Sequence, residues 1–439
     1  MTTMSGELAI DGGPRAVETP RERLWPEVLD EDRAAVMAVL DRGVLSGATA
    51  PENTALEREY AAWLGVEHCL SLNSGTAALH CCAAAVGLDP GDEVIVPAFT
   101  FMATAMSMLI HGARPVFCDV EPERFNLDAA RIEERITPRT RAIVVVHLHG
   151  MPADMREVGE IADRHGLAII EDTAQAHGAT YDSRVVGTIG ACAGTSLQET
   201  KNLSGGEGGL FVTDDLEGYR AAARLRIFGE DVFEPEFGRF YWSHGLGWNY
   251  RNHELSAAFA RSQLRRLDGY IARARENAAY LTERLTGIDG IVPPRQPDDR
   301  ESVWYAYRVR LDPGAVGFAG EAVEFRDRLL RALDAEGAPV MIWQDLPLSA
   351  HPVYRRTPPV AWHAGRRDTL APWDPREFPV SMDLAQGSFL LGTHAAPLAV
   401  QRREVLDAHA CAVRKVMARL DALLDRPYEA LERAPLTSG

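Results

Sequence analysis

Over the first half of the chain, short unbroken apolar runs alternate with longer amphipathic stretches. The runs at 68–72 (HCLSL), 92–97 (DEVIVP), 114–120 (RPVFCDV), 141–150 (RAIVVVHLHG) and 167–172 (LAIIED) predict strands. Between them, SGTAALHCCAAAVG (74–87), FMATAMSMLIHG, DAARIEERI (128–136) and DMREVGEIADRHG carry helical spacing. Upstream, DEDRAAVMAVLDRG (30–43) predicts a helix with an acidic start and a glycine stop, and NTALEREYAAWLG (53–65) predicts another with Asn53 as its N-cap. Continuous apolar strands separated by helices predict a mostly parallel α/β sheet flanked by helices. In such sheets ligands gather at the C-terminal ends of the strands.

After about residue 215 the pattern turns to long helices, notably over 254–285. A proline-rich break, IVPPRQPDD, follows at 291–299. Beyond it, VWYAYRVRL and EFRDRLLRALDAEG read as a small α+β unit, and 356–378 reads as a long irregular loop. The expected organisation is an extended segment over 1–29, a large α/β domain over 30–290 and a smaller C-terminal α+β domain over 291–439.

Composition narrows the function. A net charge of −17 without any basic run argues against nucleic acid as partner. No apolar stretch reaches the roughly 18 residues of a membrane span. The first residues lack the basic start and apolar run of a signal peptide. The 6 cysteines form no CxxC pair and read as reduced core residues, so a cytoplasmic protein is expected.

Among 46 basic residues only Lys201 and Lys415 are lysines. Arginine serves surface charge as well, but it is no amine nucleophile and forms no Schiff base. Lys201 stands before a glycine-rich turn, in SLQETKNLSGGEGG. It is either a residue that does chemistry or a chance survivor of codon bias. Two other strand ends bear on the choice. Asn73-Ser74-Gly75-Thr76 opens a helix, whose free N–H groups suit a phosphate or make an ordinary cap. Glu171-Asp172 ends an apolar strand, where a carboxylate would suit a protonated ring nitrogen or cap a turn. Gln175 lies three residues on. Together a phosphate cup, an acid for a pyridinium nitrogen and a Schiff-base lysine form the arrangement used with pyridoxal phosphate. His147 and His149 form an H-x-H pair with no third ligand nearby, so no metal is expected.

These stretches, with GDEVIVPAFTFMATA, VHLHGMPADM, IIEDTAQAHGA and GWNYRNHELSAAFARSQL, resemble the DegT/StrS family of pyridoxal-phosphate-dependent sugar and cyclitol aminotransferases, of fold type I. The resemblance runs from about residue 8 to beyond 400. It implies that Lys201 joins the cofactor covalently, that Asp172 pairs with the ring nitrogen and that Gln175 approaches the ring hydroxyl. Ser74, Gly75, Thr76 and Ser196 would hold the phosphate, and Phe101 would stack on the ring. Asn249, with Arg251 nearby, would reach the phosphate of a neighbouring subunit, which implies a homodimer with shared sites. Leu197 and His149 depart from the family, which usually has Phe at the first position and Tyr or Phe at the second.

The implied reaction moves an amino group from L-glutamine or L-glutamate to an inosose-type keto-cyclitol or a keto-sugar in secondary-metabolite biosynthesis. LAIDGGPRAVETP, SLQETK and LPLSAHPVY favour the cyclitol branch. The alternatives are other pyridoxal phosphate chemistry, as in aminohydroxybenzoate synthases or sugar dehydratases, and a non-catalytic regulatory homologue. The family's dehydratases carry His at the lysine position, which Lys201 opposes. Trp304, Trp343, Gln344 and His351 are further candidates for the pocket wall, or simply packing residues.

Overall fold

Seven short strands, six of five residues and one of seven, assemble into one sheet in the computed structural model, which describes residues 6–17, 24–47, 49–231, 241–355 and 373–432. Its strands are β1 (His68–Leu72), β2 (Glu93–Pro97), β3 (Arg114–Cys118), β4 (Thr140–Val146) and β5 (Ala168–Asp172). After a short pair, β6 (Thr180–Tyr181) and β7 (Arg184–Val185), the chain adds β8 (Cys192–Ser196) and β9 (Gly209–Thr213). The order across the large sheet is β1-β9-β8-β5-β4-β2-β3. Only β9 runs against the rest, pairing antiparallel with β1 and β8. The other contacts are parallel, and the central strands are buried on both faces, which is why they read as unbroken apolar runs.

Helices cover both faces. They are α1 (Asp30–Arg42), α2 (Pro51–Leu64), α3 (Gly75–Ala85), α4 (Ala103–His111), α5 (Met155–His165), α6 (Leu216–Arg226), α7 (Glu254–Leu264) and α8 (Leu267–Leu285). One apolar cluster joins α3, α4 and α6 to the sheet, and another joins α2, α5 and α7 to its other face. A four-stranded antiparallel sheet follows, ordered β10-β12-β14-β13, from β10 (Ile291–Val292), β12 (Arg308–Leu311), β13 (Val340–Met341) and β14 (Ser388–Leu391). Strand β11 (Arg300–Glu301) instead pairs with β6. The later helices are α9 (Ala322–Ala335), the single turn α10 (Pro352–Arg355), α11 (Pro379–Gln386), α12 (Arg403–Met417) and α13 (Leu420–Leu424). A third cluster packs α9 and α12 on α8 and takes in Leu8, Val17 and Trp25 from the start of the chain.

Three local expectations fail. Asn53 does not cap α2. The helix starts two residues earlier, with Pro51 in its first turn, and its N–H groups at Glu52 and Asn53 donate to the distant Glu254 carboxylate, both at 2.9 Å. Residues 128–136 form two 3₁₀ turns, Ala129–Arg131 and Glu133–Arg135, rather than a helix. Nine residues make a marginal helix, and Pro138 forces the chain before it to extend. The stretch 254–285 is two helices, α7 and α8, broken at Arg265 and Arg266. The Arg266 side chain fastens the break by binding Asp32 at 2.8 Å and the Tyr270 hydroxyl at 3.0 Å. Of the expected loop over 356–378, residues 356–372 lie outside the described residues, and Pro375–Glu377 form a 3₁₀ turn.

The second lysine, Lys415, is a clamp. It is 4% exposed, and its ammonium donates to Glu336 at 2.9 Å and to the Pro14 carbonyl at 2.6 Å. The same carboxylate accepts the N–H groups of Ala9 and Ala16, both at 2.8 Å. The first described segment is thereby fastened to α9 and α12.

Candidate active site

The C-terminal ends of β1, β5 and β8 converge on one place. At β1, Ser74 caps α3 by accepting the Ala77 N–H at 3.1 Å, so Gly75 and Thr76 open the helix with free N–H groups. The backbone here is crowded. A Cβ on Gly75 would lie 2.8 Å from the Ser196 Cβ, and one on Gly209 would lie 2.3 Å from the Ser74 carbonyl oxygen. Glycine at both positions lets the ends of β8 and β9 close against the start of α3. Ser196 therefore stands beside Gly75, its hydroxyl accepting the Gln198 N–H at 3.3 Å.

At β5, Asp172 is buried. Its carboxylate accepts the Thr104 hydroxyl at 2.7 Å and the Ala174 N–H at 3.1 Å. Burial raises its pKa, while Thr104, Ala174 and the charge of Lys201 pull it back. No ion pair engages it among the described residues, so it has a deficit that a cation would fill. Its neighbour Glu171 turns the other way and bonds His147 at 3.0 Å and the N–H groups of Gly187, Ile189 and Gly190. His147 is then spent on Glu171 and on the Ala153 N–H at 3.1 Å. Gln175 Oε1 accepts the His149 N–H at 2.7 Å, which leaves its Nε2 as the donor. His177 is buried with its pKa pressed down to about 4, so it is neutral. Its Nε2 faces the Ser196 carbonyl at 2.9 Å and its Nδ1 the Tyr60 hydroxyl at 3.0 Å, which ties the end of β8 to α2.

Lys201 follows β8. Its ammonium lies 4.7 Å from the centroid of the Tyr305 ring and donates to the Tyr305 hydroxyl at 3.4 Å. That hydroxyl also meets Thr200 Oγ1 at 3.1 Å, and the ring stacks on His394 at 5.2 Å. The Lys201 carbonyl accepts the indole N–H of Trp25 at 3.0 Å. The lysine's charge is felt at Asp172, His177, His149 and His394, four groups from three stretches of chain.

The remaining candidates lie around this centre. Phe101 is 47% exposed and stacks on Trp343, with centroids 6.5 Å apart. Gln344 donates to the Thr100 carbonyl, so the 343–344 segment leans on the loop that carries Phe101. Asn249 is exposed, its carbonyl accepting Asn73 Nδ2 at 3.2 Å. Arg251 pairs through its backbone with Leu72 and lays its guanidinium on Phe228. Trp304 packs in the cluster around α8 and against the hollow that His149 and Arg308 line. His351 sits beyond Gln344, after a 3₁₀ turn. Leu197 is fully buried among the residues between sheet and α7. Sequence reasoning missed Thr104, His177, Tyr305, His394 and Trp25.

A buried carboxylate lacking a cation, a glycine-crowded helix N-terminus and a lysine whose charge reaches that carboxylate fit pyridoxal phosphate. The family model for DegT/DnrJ/EryC1/StrS aminotransferases matches residues 26–367. The chain belongs to that family. A dTDP-3-amino-3,4,6-trideoxy-alpha-D-glucose transaminase of Streptomyces venezuelae is 37% identical over 81% of this chain and 90% of its own. A putative L-glutamine:3-amino-2,3-dideoxy-scyllo-inosose aminotransferase of Streptoalloteichus tenebrarius is also 37% identical, over 76% of this chain and 79% of its own. Among solved structures, S. venezuelae DesV in complex with a ketimine intermediate superposes with a TM-score of 0.76 at 34% identity, covering 89% of this chain and 95% of that one. A 3-amino-5-hydroxybenzoic acid synthase superposes with a TM-score of 0.79 at 29% identity, covering 92% and 100%. This DegT/StrS member is a pyridoxal-phosphate-dependent transaminase of the sugar aminotransferase kind. No helix among the described residues is long and apolar enough to cross a membrane.

Proposed function

We propose that this aminotransferase takes the amino group of L-glutamine or L-glutamate and places it on the ring ketone of an inosose-type cyclitol or a keto-sugar. The observation that carries the reading is Lys201, its ammonium held on the Tyr305 ring beside a buried Asp172 that lacks a counter-charge. Pyridoxal phosphate, when bound, supplies the electron sink for the carbon that loses its proton. The protein supplies the rest. Lys201 would hold the cofactor, and once the donor's amine displaces it, its freed amine would take the donor's Cα proton. Asp172, steadied by Thr104, holds the proton on the ring nitrogen. Gln175, its Oε1 held by the His149 N–H, would offer Nε2 to the ring hydroxyl. The N–H groups at Gly75 and Thr76, with Ser74 and Ser196, bind the phosphate, and Phe101 covers the ring face.

The two relatives bracket the acceptor, since one is named for a nucleotide sugar and the other for an inosose. The aminohydroxybenzoate synthase likeness supports a second reading, in which the product is aromatised and its mass differs. We also read the active unit as a homodimer. Tyr241, Trp242 and Leu246 are 81%, 71% and 83% exposed just before Asn249 and Arg251. Light scattering should give the mass of two chains, and a monomer would end that reading. The division into domains at residues 29 and 290, and a cytoplasmic location suited to the free thiols, belong to the same proposal.

The test is spectroscopic. The purified protein should be yellow and should bleach when L-glutamine or L-glutamate is added. Lys201→Ala should lose that turnover, and an Asp172→Asn protein should bind cofactor but bleach far more slowly. A wild-type protein that never takes up the cofactor would refute the proposal.

A further inference from the structure

Arg308 opens β12 and is 2% exposed. Its guanidinium lies over the rings of Phe99 and Phe125, 4.8 and 5.2 Å from their centroids. Its Nε donates to Ser388 Oγ at 2.8 Å. None of these neighbours carries charge. Other buried arginines have carboxylates: Arg326 has Asp327 at 2.9 Å and Arg300 has Asp154 at 2.6 Å. No ion pair engages Arg308 among the described residues. Burial and the nearby charge of Arg326 press its pKa down to about 9, so it remains a cation at neutral pH. A buried cation without a counter-charge is costly unless something supplies one.

The tautomer of His149 sharpens the point. Arg308 Nη1 faces His149 Nε2 at 3.4 Å. A guanidinium only donates, so Nε2 accepts and the ring proton sits on Nδ1. Burial and the charges of Arg308, His394 and Lys201 keep this ring neutral. Two buried nitrogens are then left without partners, Arg308 Nη2 and His149 Nδ1. Both are donors. Both residues line one hollow, walled by Phe125, Trp304 and Ala306. At its rim stand Glu123 and Arg295, both exposed, and Arg124, which is paired with Glu121 and Asp154. Such a hollow is complementary to a small anion. His149 also belongs to the active site: its N–H holds Gln175, and its ring meets Trp343 at 5.1 Å.

We infer that Arg308 and the Nδ1–H of His149 form the socket for the carboxylate of the amino donor. This rests on the transaminase reading above. A planar carboxylate matches the guanidinium fork, and the donor amino acid always carries one. An inosose carries no charge, and a nucleotide diphosphate is too bulky for a hollow walled by these rings.

Calorimetric titration with glutarate, a dicarboxylate without the amine, tests the socket on cofactor-loaded wild-type, Arg308→Met and Arg308→Lys proteins. Arg308→Met should bind glutarate at least tenfold more weakly, with part of the affinity restored in Arg308→Lys. The apolar replacement suits a site flanked by Phe99 and Phe125, and His149→Phe offers a second variant that keeps the arginine. In the donor half-reaction, Arg308→Met should raise half-saturation by L-glutamate tenfold or more at a nearly unchanged limiting rate. Equal glutarate binding by wild type and Arg308→Met overturns the socket. So does displacement of glutarate by millimolar chloride together with unaltered donor saturation, which would assign the hollow to an inorganic anion. Arg308-dependent glutarate binding without any half-reaction in the wild type would instead sink the transaminase reading and leave the socket standing.

Discussion

Tyr305 is the side chain that meets the Lys201 ammonium directly. Its ring carries the charge and its hydroxyl bonds both Lys201 and Thr200. Tyr305→Phe keeps the ring and removes the bond. With about 1.5 kcal/mol at stake for a hydrogen bond to a charged group, the donor half-reaction should slow roughly tenfold while cofactor affinity holds. Stopped-flow absorbance would measure this, and an unchanged rate would show that the hydroxyl is idle. Lys201 itself stands out in the sequence because lysine is so scarce in this chain. Its neighbours do not. Tyr305 lies 104 residues from Lys201, and Thr104 lies 68 residues from Asp172. No local pattern links such pairs. Trp304, one candidate for the pocket wall, has a positive φ of 50°, and the next residue, Tyr305, meets the lysine.

At the level of elements, the strands were the clearest part. A doubly buried strand writes itself as an apolar run, so β1, β2, β4 and β5 fall where the runs fall. Helix boundaries were harder, because partners distant in sequence decide them. Glu254 shows why. This fully buried carboxylate, at the start of α7, serves as the N-cap of α2, accepting from Glu52, Asn53 and Arg42. Its replacement by alanine leaves buried N–H groups without an acceptor. Glu254→Ala should cost about 2–3 kcal/mol in urea unfolding, more than the ~1 kcal/mol of an ordinary exposed cap. A loss below that ordinary value would mean that water replaces the carboxylate. The break between α7 and α8 has the same character, since Arg266 is held by Asp32 of α1.

For the whole molecule, the described part of the first segment packs into the fold. Leu8, Val17 and Trp25 join the core around α8, α9 and α12, and Trp25 reaches the carbonyl of Lys201. The clamp at Lys415 holds this arrangement, and it also withdraws one of the two lysine amines from the surface. Lys415 is buried against Glu336, so the folded protein shows an acylating reagent one lysine, Lys201, besides the amino terminus. A limiting dose on cofactor-free protein should therefore leave a single side-chain label, found by peptide mass mapping at Lys201 and blocked by prior addition of pyridoxal phosphate. Equal labelling of Lys415 would mean that the clamp opens in solution. The reactive centre could then carry a dye, a resin or an affinity handle at one defined side-chain amine, without any engineered residue.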